Sequence, residues 1–393
     1  GGCDGGNEYT LEDSFEGNAQ TFRILVRLSQ KSGNPGLIEE PRRGMGLTAG
    51  SLISVLKYPW PKGESRDQLE SFGRRWEKRK RNYYDQKWGV YSDDLDPFLT
   101  IGEALLKDCP GLIMNSQIMD LADDITYAVH DVQDHYRSGQ IPLELLALGN
   151  DDQFRAYATS VVLSKIEFDC DDETAQKAWG WIDKLEIPGE RYVDSRQARA
   201  SLHLFESGAV RRIIDSVDIN PDELSVHVPP YIRIAVELLK QLTWYYVIDN
   251  PALSASQLGQ TKMIHDLHTW LCEWLSSCIE DPEADSARQK QHRKMRKLPQ
   301  RLRDYYNDTE KSRVSRKLLP AEKIEKEGAL GAKANDDEMN DGRKCYDRGR
   351  PMSRDERISR AVVDYIASLT DDEAITLHHN LGAYGSVVPV SWL

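Results

Sequence analysis

One stretch of the chain, 116–138, combines acidic side chains with an aromatic ring at a spacing that suits chemistry. Asp123, Tyr127 and Asp131 recur every four residues, so on a helix they form one line along the same side. Carboxylates on one helical face can ligate a divalent cation, hydrogen-bond a sugar hydroxyl, or do both. The pattern also fits an amphipathic helix whose acidic side simply faces solvent. Closely spaced carboxylates repel one another unless a cation offsets their charge, which weakens this second interpretation.

Helices must position this stretch, and the sequence predicts them along most of the chain. Apolar residues recur at helical spacing in long segments, alternating strand patterns are few, and no unit repeats. We therefore predict an all-α fold. The segment 321–351 is polar, charged and glycine-containing, which indicates a flexible insertion. The predicted helices are 15–29, 48–56, 96–107, 116–138, 151–165, 172–185, 195–217, 231–248, 256–279 and 354–369.

The composition excludes several classes of protein. The 393 residues carry a net charge of −13, so overall charge does not favour nucleic acid as a partner. The six cysteines are scattered without a C-x-x-C pair, which argues against a zinc ribbon or a disulfide framework and suits a reducing compartment. No run approaches the ~18 consecutive apolar residues of a membrane span, and no signal peptide is recognisable. These features predict a cytoplasmic protein without a membrane partner.

Five segments, in the same order, resemble the deoxyguanosine triphosphate triphosphohydrolases, a family of the HD-domain superfamily. The sequence DLADDITYAVHD at 120–131 resembles the family pattern D-x-A-D-D-I-x-Y-x-x-x-D. A single motif of this kind would be weak evidence, but five in family order cover nearly the whole chain. The other four are FEGNAQTFRIL at 15–25, LKYPW at 56–60, KWGVY at 87–91 and RAVVDYIASLTD at 360–371.

The resemblance implies an HD-domain-like helical bundle with additional C-terminal helices. Residues 1–150 would be the C-terminal part of the HD catalytic core, and 151–393 the helical C-terminal region with its insertion near 321–351. Enzymes of this family hydrolyse dGTP or other deoxynucleoside triphosphates to a deoxynucleoside and intact triphosphate. The resemblance implies a divalent metal cofactor, Mg²⁺ or Mn²⁺ being expected, and a homo-oligomer.

The family's site residues can be carried over where this sequence matches its motifs. Asp123 matches a metal ligand that the family places on a late helix of the core. Tyr127 matches the ring that packs against the deoxyribose, and Asp131 matches the acceptor for the 3′-hydroxyl. An acceptor left without its partner is costly, so this contact can select for a free 3′-hydroxyl.

Four further residues are candidates for substrate binding. The point charges of Lys57 and Lys87 match positions that grip the polyphosphate, with Tyr91 supporting them. Either lysine could equally be a solvated surface charge. Asn18 is a candidate contact to the nucleotide, although Asn18 and Gln20 could instead cap the backbone near the site.

Two other functions stay open. The protein could be a non-catalytic regulatory protein that binds an effector nucleotide or single-stranded nucleic acid, because basic residues at 74–81 and 288–303 could follow a phosphate backbone. Those segments could also be ordinary solvated helix faces. The protein could alternatively be another HD-type phosphohydrolase, but Asp131 and the 56–60 segment match the triphosphate family specifically.

The family's remaining metal ligands, a His and a His-Asp dyad, and its catalytic His and Glu precede the segment that resembles 15–25. Residues 1–14 contain no histidine, and His130-Asp131 and His265-Asp266 do not match the dyad's position. We therefore expect a chain that lacks the amino-terminal part of its catalytic core. A single Asp holds a divalent ion poorly, so the 393-residue chain should release no triphosphate from dGTP by itself. Triphosphate release by this chain alone, measured by ion-exchange chromatography, would contradict the expectation.

Overall fold

The computed structural model confirms the all-α fold class for the residues that it describes. The basic segment 74–81, the predicted helix 96–107 except residues 97 and 98, and nearly all of the predicted insertion 321–351 lie outside them. The described residues are 9, 11, 13–29, 44–58, 60–62, 87–95, 97–98, 111–164, 170–220, 225–279, 291–311, 313–314 and 350–382.

Twelve helices make up most of the described part of the chain. Two small antiparallel pairs of strands, which the sequence did not predict, complete it: β1 (Asp218–Asn220) with β2 (Ser225–His227), and β3 (Arg313–Val314) with β4 (Arg350–Pro351). The helices are α1 (Gly17–Arg23), α2 (Ala49–Ser54), α3 (Gly111–Arg137), α4 (Leu143–Ala147), α5 (Asp152–Ser164), α6 (Asp172–Ile182), α7 (Arg196–Ile214), α8 (Pro230–Thr243), α9 (Pro251–Cys278), α10 (Gln300–Asp308), α11 (Arg354–Ala367) and α12 (Asp371–Leu381).

Local sequence signals explain where several helices begin and end. The Thr48 hydroxyl accepts a hydrogen bond from the Ser51 N–H and caps α2, as the sequence allowed. α11 and α12 each begin with a reciprocal capping box, Ser353 with Glu356 and Thr370 with Glu373. α3 is followed by Gly139, whose φ of 76° suits the left-handed turn that ends a helix.

Two helices end in a wider π-helical turn rather than continuing as α-helix. α1 passes into Ile24–Leu28, and α8 passes into Trp244–Ile248. The predicted segments 15–29 and 231–248 are therefore helical, but each changes its hydrogen-bonding pattern near its end. Helical spacing of apolar residues does not distinguish these two hydrogen-bonding patterns.

Most of the apolar core lies around α3 and α8, which pack against each other and against α5, α6 and α7. The buried side of α3 is built from Ile125, Val129 and Val132, which are at most 8% exposed. A second apolar cluster joins α9, α10 and α11, with residues of α12 packed against it. α3 is thus packed against the core along one side. Its other side carries the acidic stripe, which is the line of Asp123, Tyr127 and Asp131 together with the neighbouring Asp120 and Asp124.

A buried network of charges joins α1 to distant parts of the chain. The Arg23 Nε donates to both carboxylate oxygens of Asp364 on α11, at 2.9 and 2.8 Å. The Arg23 Nη1 donates to Asp93 at 2.8 Å and to Asp94 at 2.9 Å. All four side chains are at most 2% exposed. Burial by itself would lower the pKa of Arg23. The attraction of the three carboxylates is stronger than this effect, so the pKa of Arg23 lies above its ordinary value.

Arg360 extends the same network from α11. Its Nη2 lies 3.4 Å from Asp93 and 3.8 Å from Asp13, and its guanidinium stacks 4.0 Å from the ring centroid of Tyr91. Asp13 in turn accepts hydrogen bonds from the N–H and hydroxyl of Ser92, at 2.6 and 2.7 Å. The network therefore fixes α1, the turn around residue 93 and α11 relative to one another.

Substituting Asp364→Asn should destabilise the fold severely. The change removes a carboxylate that accepts three hydrogen bonds and leaves the buried Arg23 charge partly unpaired, which costs about 3–5 kcal/mol of unfolding free energy. Urea denaturation followed by circular dichroism measures the loss. Glu173→Gln is the matched control, because Glu173 pairs with Lys177 at an exposed site and should cost less than about 0.5 kcal/mol. Equal stability of Asp364→Asn and the parent would contradict this account of the network.

The Glu356 carboxylate should make part of the stability dependent on pH. Hydrogen bonds from Arg350, at 2.6 and 2.5 Å, and from the Ser353 N–H lower the pKa of Glu356 from its ordinary value of 4.5 to about 2. Its contribution is therefore complete above pH 4.5 and is lost as the pH falls toward about 2. Urea titrations across this range should show a smaller decline for Glu356→Gln than for the parent. Parallel declines would show that this carboxylate contributes nothing.

Candidate functional site

The exposed side of α3 presents the predicted sugar-reading pair. The Tyr127 side chain is 53% exposed, and Asp131 lies one turn further on. Neither makes a hydrogen bond or ion pair with another side chain that the structure describes, so both are available to a ligand. Partial burial raises the pKa of Asp131, with the neighbouring Asp134 acting in the same direction and His135 opposing it.

The amino-terminal part of the stripe is neutralised by a lysine from another segment. The Lys57 Nζ lies 2.6 Å from an Asp123 oxygen and 2.8 Å from an Asp120 oxygen. Burial opposes the charge of Lys57, but Asp120 and Asp123 overcome it and raise its pKa above the ordinary value. The structure therefore brings together the residue predicted to hold phosphate and the residue predicted to hold metal.

A second lysine, Lys240, was not predicted. It lies in the last turn of α8, and its Nζ is 2.6 Å from Asp124 and 3.7 Å from Glu237. No sequence signal identifies this pairing, since the two partners are 116 residues apart and meet only when α8 packs on α3. Lys57 and Lys240 together offset the like-charge repulsion of the first half of the stripe.

A metal ion has one candidate ligand here, Asp123, and one of its oxygens is held by Lys57. Within the described part of the chain, no group of three or more His, Cys, Asp or Glu side chains is arranged to hold a metal. These residues alone therefore do not form a metal site. One member of each His-Asp pair contacts other side chains: His130 lies 3.7 Å from Glu206, and Asp266 contacts Lys262 and His378.

Three other predicted residues meet at the start of α1, around Glu16. The Glu16 carboxylate caps α1 by accepting from the N–H groups of Asn18 and Ala19, at 2.5 and 3.2 Å. The Asn18 side chain donates to the same carboxylate at 3.0 Å, and the Lys87 Nζ lies 3.5 Å from it. Asn18 therefore reinforces the helix cap, which is the second of the two roles that the sequence left open.

Tyr91 is buried beneath this cap rather than exposed to a ligand. Its hydroxyl accepts from the Glu16 N–H and donates to the Glu16 carbonyl, both at 3.2 Å. Burial raises the pKa of Tyr91 to about 12, so the hydroxyl remains a donor at neutral pH. Direct contact of Tyr91 with phosphate is not available in this arrangement; the side chain positions Glu16 and, through it, Lys87.

The segments that carry Lys57 and Lys87 lie side by side. Residues 61 and 90 form a parallel bridge, and the indole N–H of Trp60 donates to the Lys87 carbonyl at 2.8 Å. Gly89 permits this approach, because a Cβ there would lie 2.2 Å from the Tyr58 carbonyl oxygen. The two predicted lysines are thus held in a fixed relation by the backbone.

The remaining sequence predictions concern other surfaces. In the described part of the basic segment 288–303, Lys294 and Arg301 donate to the carbonyls of Ser277 and Ser368. Binding of nucleic acid or an effector nucleotide there stays a prediction. None of the described helices combines the length and apolar character that a membrane span needs.

Comparison with known proteins gives an independent view of the chain. Residues 344–380, which include β4, α11 and most of α12, match a phosphohydrolase-associated domain of the HD type. This match contains Arg360 and Asp364 of the buried network, so the matched domain is the part of the chain that anchors α1.

Several curated proteins named deoxyguanosinetriphosphate triphosphohydrolase-like protein are similar to the chain. The one from Streptomyces coelicolor is 36% identical over 129 residues, covering 32% of this chain and 25% of the relative. The one from Corynebacterium glutamicum is 26% identical over 272 residues, covering 65% and 58%. The one from Shewanella halifaxensis is 26% identical over 299 residues, covering 68% and 59%.

The chain matches less than two thirds of the length of each of these relatives. The similarity nevertheless extends over most of the chain in two of the three, in agreement with the five segments found in the sequence. The resemblance is therefore confirmed: the chain is similar to proteins named deoxyguanosinetriphosphate triphosphohydrolase-like over most of its length.

Proposed function

We propose that the protein to which this chain belongs hydrolyses deoxynucleoside triphosphates, dGTP among them, to a deoxynucleoside and intact triphosphate. The proposal includes a divalent metal, with Asp123 as one ligand, a homo-oligomeric assembly and a cytoplasmic location. The observation that carries it is the exposed Tyr127 ring with, one turn further along α3, the Asp131 carboxylate, which has no hydrogen-bond partner among the described residues. The names of the relatives support the choice of substrate.

The Tyr127–Asp131 pair suits a deoxyribose. A sugar that lacks the 2′-hydroxyl presents an apolar edge, against which an exposed aromatic ring can pack without leaving a polar group unpaired. A carboxylate one turn away can then accept the hydrogen bond of the 3′-hydroxyl. Such a charge-assisted bond contributes about 1.5–3 kcal/mol, so the pair can discriminate between sugars with and without that hydroxyl.

The lysines supply the positive charge that a polyphosphate requires. Lys57 lies at Asp123, one turn before Tyr127, and therefore at the end of the stripe where the 5′ side of a bound nucleotide would leave the sugar pocket. The Lys87 ammonium group lies beside Glu16 at the start of α1. The segments that contain Lys57 and Lys87 are joined by the bridge between residues 61 and 90. Both ammonium groups already face carboxylates of the protein. The phosphate oxygens of a bound nucleotide would take the place of these carboxylates as anionic partners of the lysines.

Recognition of the 3′-hydroxyl provides a test that needs no turnover. Isothermal titration calorimetry should show that the chain binds dGTP at least about tenfold more tightly than dideoxyguanosine triphosphate, equivalent to ~1.4 kcal/mol. Asp131→Ala should abolish the difference by weakening dGTP alone. The unfolding free energy should not change, because Asp131 bonds to no described side chain.

Asp134→Ala is the matched control, since Asp134 lies on the same exposed face of α3 less than one turn further on. It should keep the preference for dGTP. Equal affinity of the parent chain for the two nucleotides would overturn the assignment of Tyr127 and Asp131 to the sugar.

A further inference from the structure

Lys62 lies among the predicted phosphate-binding residues, although it falls outside the segments that resemble the family. Its Nζ donates to the Ser14 hydroxyl at 3.0 Å and lies 4.8 Å from the ring centroid of Trp88. Trp88 directly follows Lys87 in the chain, and Ser14 lies two residues before Glu16, which contacts Lys87. The ammonium groups of Lys62 and Lys87 therefore approach the same turn from two bridged segments.

The turn that meets Lys62 is held in an unfavourable conformation. Ser14 has φ of 58°, and among the described residues it is the only non-glycine residue with a positive φ. Such a conformation is unfavourable for a residue with a Cβ and persists only where the surroundings impose it. Here the Ser14 N–H donates to the Leu11 carbonyl, and the neighbouring Asp13 is fixed by Ser92. The strained turn presents the Ser14 hydroxyl to Lys62.

The other side of Lys62 rests on a rigid aromatic surface. Trp88 is 5% exposed and belongs to a buried cluster with Tyr58, Trp60 and Tyr91. A lysine above an aromatic face gains cation–π attraction and keeps fewer conformations than a free surface lysine. Less conformational entropy is then lost when its ammonium group binds an anion.

The position of Lys62 along the segment indicates which phosphate groups it would meet. Lys57 contacts the acidic stripe of α3, whereas Lys62, five residues further on, contacts the turn before α1. Lys57 is thus the lysine that contacts the helix of the Tyr127–Asp131 pair, whereas Lys62 and Lys87 both contact the turn at 14–16. Ligands with one phosphate group would meet Lys57 first, and only a longer chain of phosphates would extend to both Lys62 and Lys87.

We propose that Lys62, together with Lys87, binds the phosphate groups farthest from the sugar and makes the site selective for triphosphates over shorter phosphates. The inference rests on the proposed function for the placement of the sugar, but Lys62 would also bind the inorganic triphosphate that the reaction releases. Ser14 and Trp88 act as positioning residues for its ammonium group.

Binding of inorganic phosphates of different lengths tests this assignment on the full chain. Calorimetry at low salt should show that Lys62→Met weakens tripolyphosphate about tenfold, or ~1.4 kcal/mol, while orthophosphate changes less than about twofold. Lys62→Arg should keep most of the affinity for tripolyphosphate because it keeps the charge. Lys177→Met, which removes an exposed lysine from α6, should leave all affinities unchanged.

Ser14→Gly, which relieves the strained φ and removes the hydroxyl, should cause a smaller loss of tripolyphosphate affinity. It serves as the second variant if Lys62→Met fails to fold.

Equal losses for tripolyphosphate and orthophosphate, or no loss in either Lys62→Met or Ser14→Gly, would overturn the role of Lys62. Failure of the proposed function would look different. In that case the Lys62 dependence of tripolyphosphate binding would persist, while dGTP and dideoxyguanosine triphosphate would bind equally well. Conversely, a 3′-hydroxyl preference without any effect at Lys62 would refute this inference alone.

Discussion

The buried pairing of Arg23 with Asp364, Asp93 and Asp94 is the interaction on which the arrangement of the candidate site depends. Charges removed from water are tolerated only when their partners are correctly placed, so the network permits few relative positions of α1, the turn at 93 and α11. Arg360 stacks on Tyr91, whose hydroxyl holds the backbone of Glu16. Through this sequence of contacts, a charge cluster in the interior determines where Lys87 lies at the surface.

The two halves of the acidic stripe on α3 differ in how far their negative charge is neutralised. Its first half is matched by Lys57 and Lys240, which arrive from a loop and from α8. Its second half, with Asp131, keeps its negative charge without an ion pair to a described residue, and partial burial makes that charge more costly. In the proposed function, the neutralised end of the helix would lie beside the phosphates and the end with Asp131 would accept the hydrogen bond of the 3′-hydroxyl.

The sequence predicted those parts of the structure that depend on local pattern. Apolar residues repeated over more than twenty residues identify the helix around Tyr127, and Gly139 marks its end. The start of α9 was placed at 256 rather than Pro251, because proline in the first helical turn gives a weaker signal than a capping side chain. β1 and β2 were missed because strands of three residues are too short to show alternation.

Contacts between distant segments could not be predicted from spacing. The motifs containing Arg23 and Asp364 were both recognised in the sequence, but nothing in either motif states that they meet. Lys240 carries no pattern that separates it from ordinary helix residues, Glu16 lay in a recognised motif without a predicted role, and Ser14 is notable only for a backbone angle. The candidate site was therefore predicted as a set of residues, whereas their pairing, and the burial of Tyr91, follow from tertiary packing alone.

The long separation of the network's partners has a consequence for biosynthesis. Arg23 and Asp364 are 341 residues apart, so at synthesis rates of 5–20 residues per second the helix containing Arg23 exists for roughly 20–70 s before its partner is made. During that interval the nascent chain holds Asp93 and Asp94 but lacks α11, and the amino-terminal charges must stay hydrated or be shielded by other factors. Closure of this region consequently has to wait until α11 has been synthesised, and nascent chains that stall before α11 would expose the same apolar surfaces that the folded protein buries.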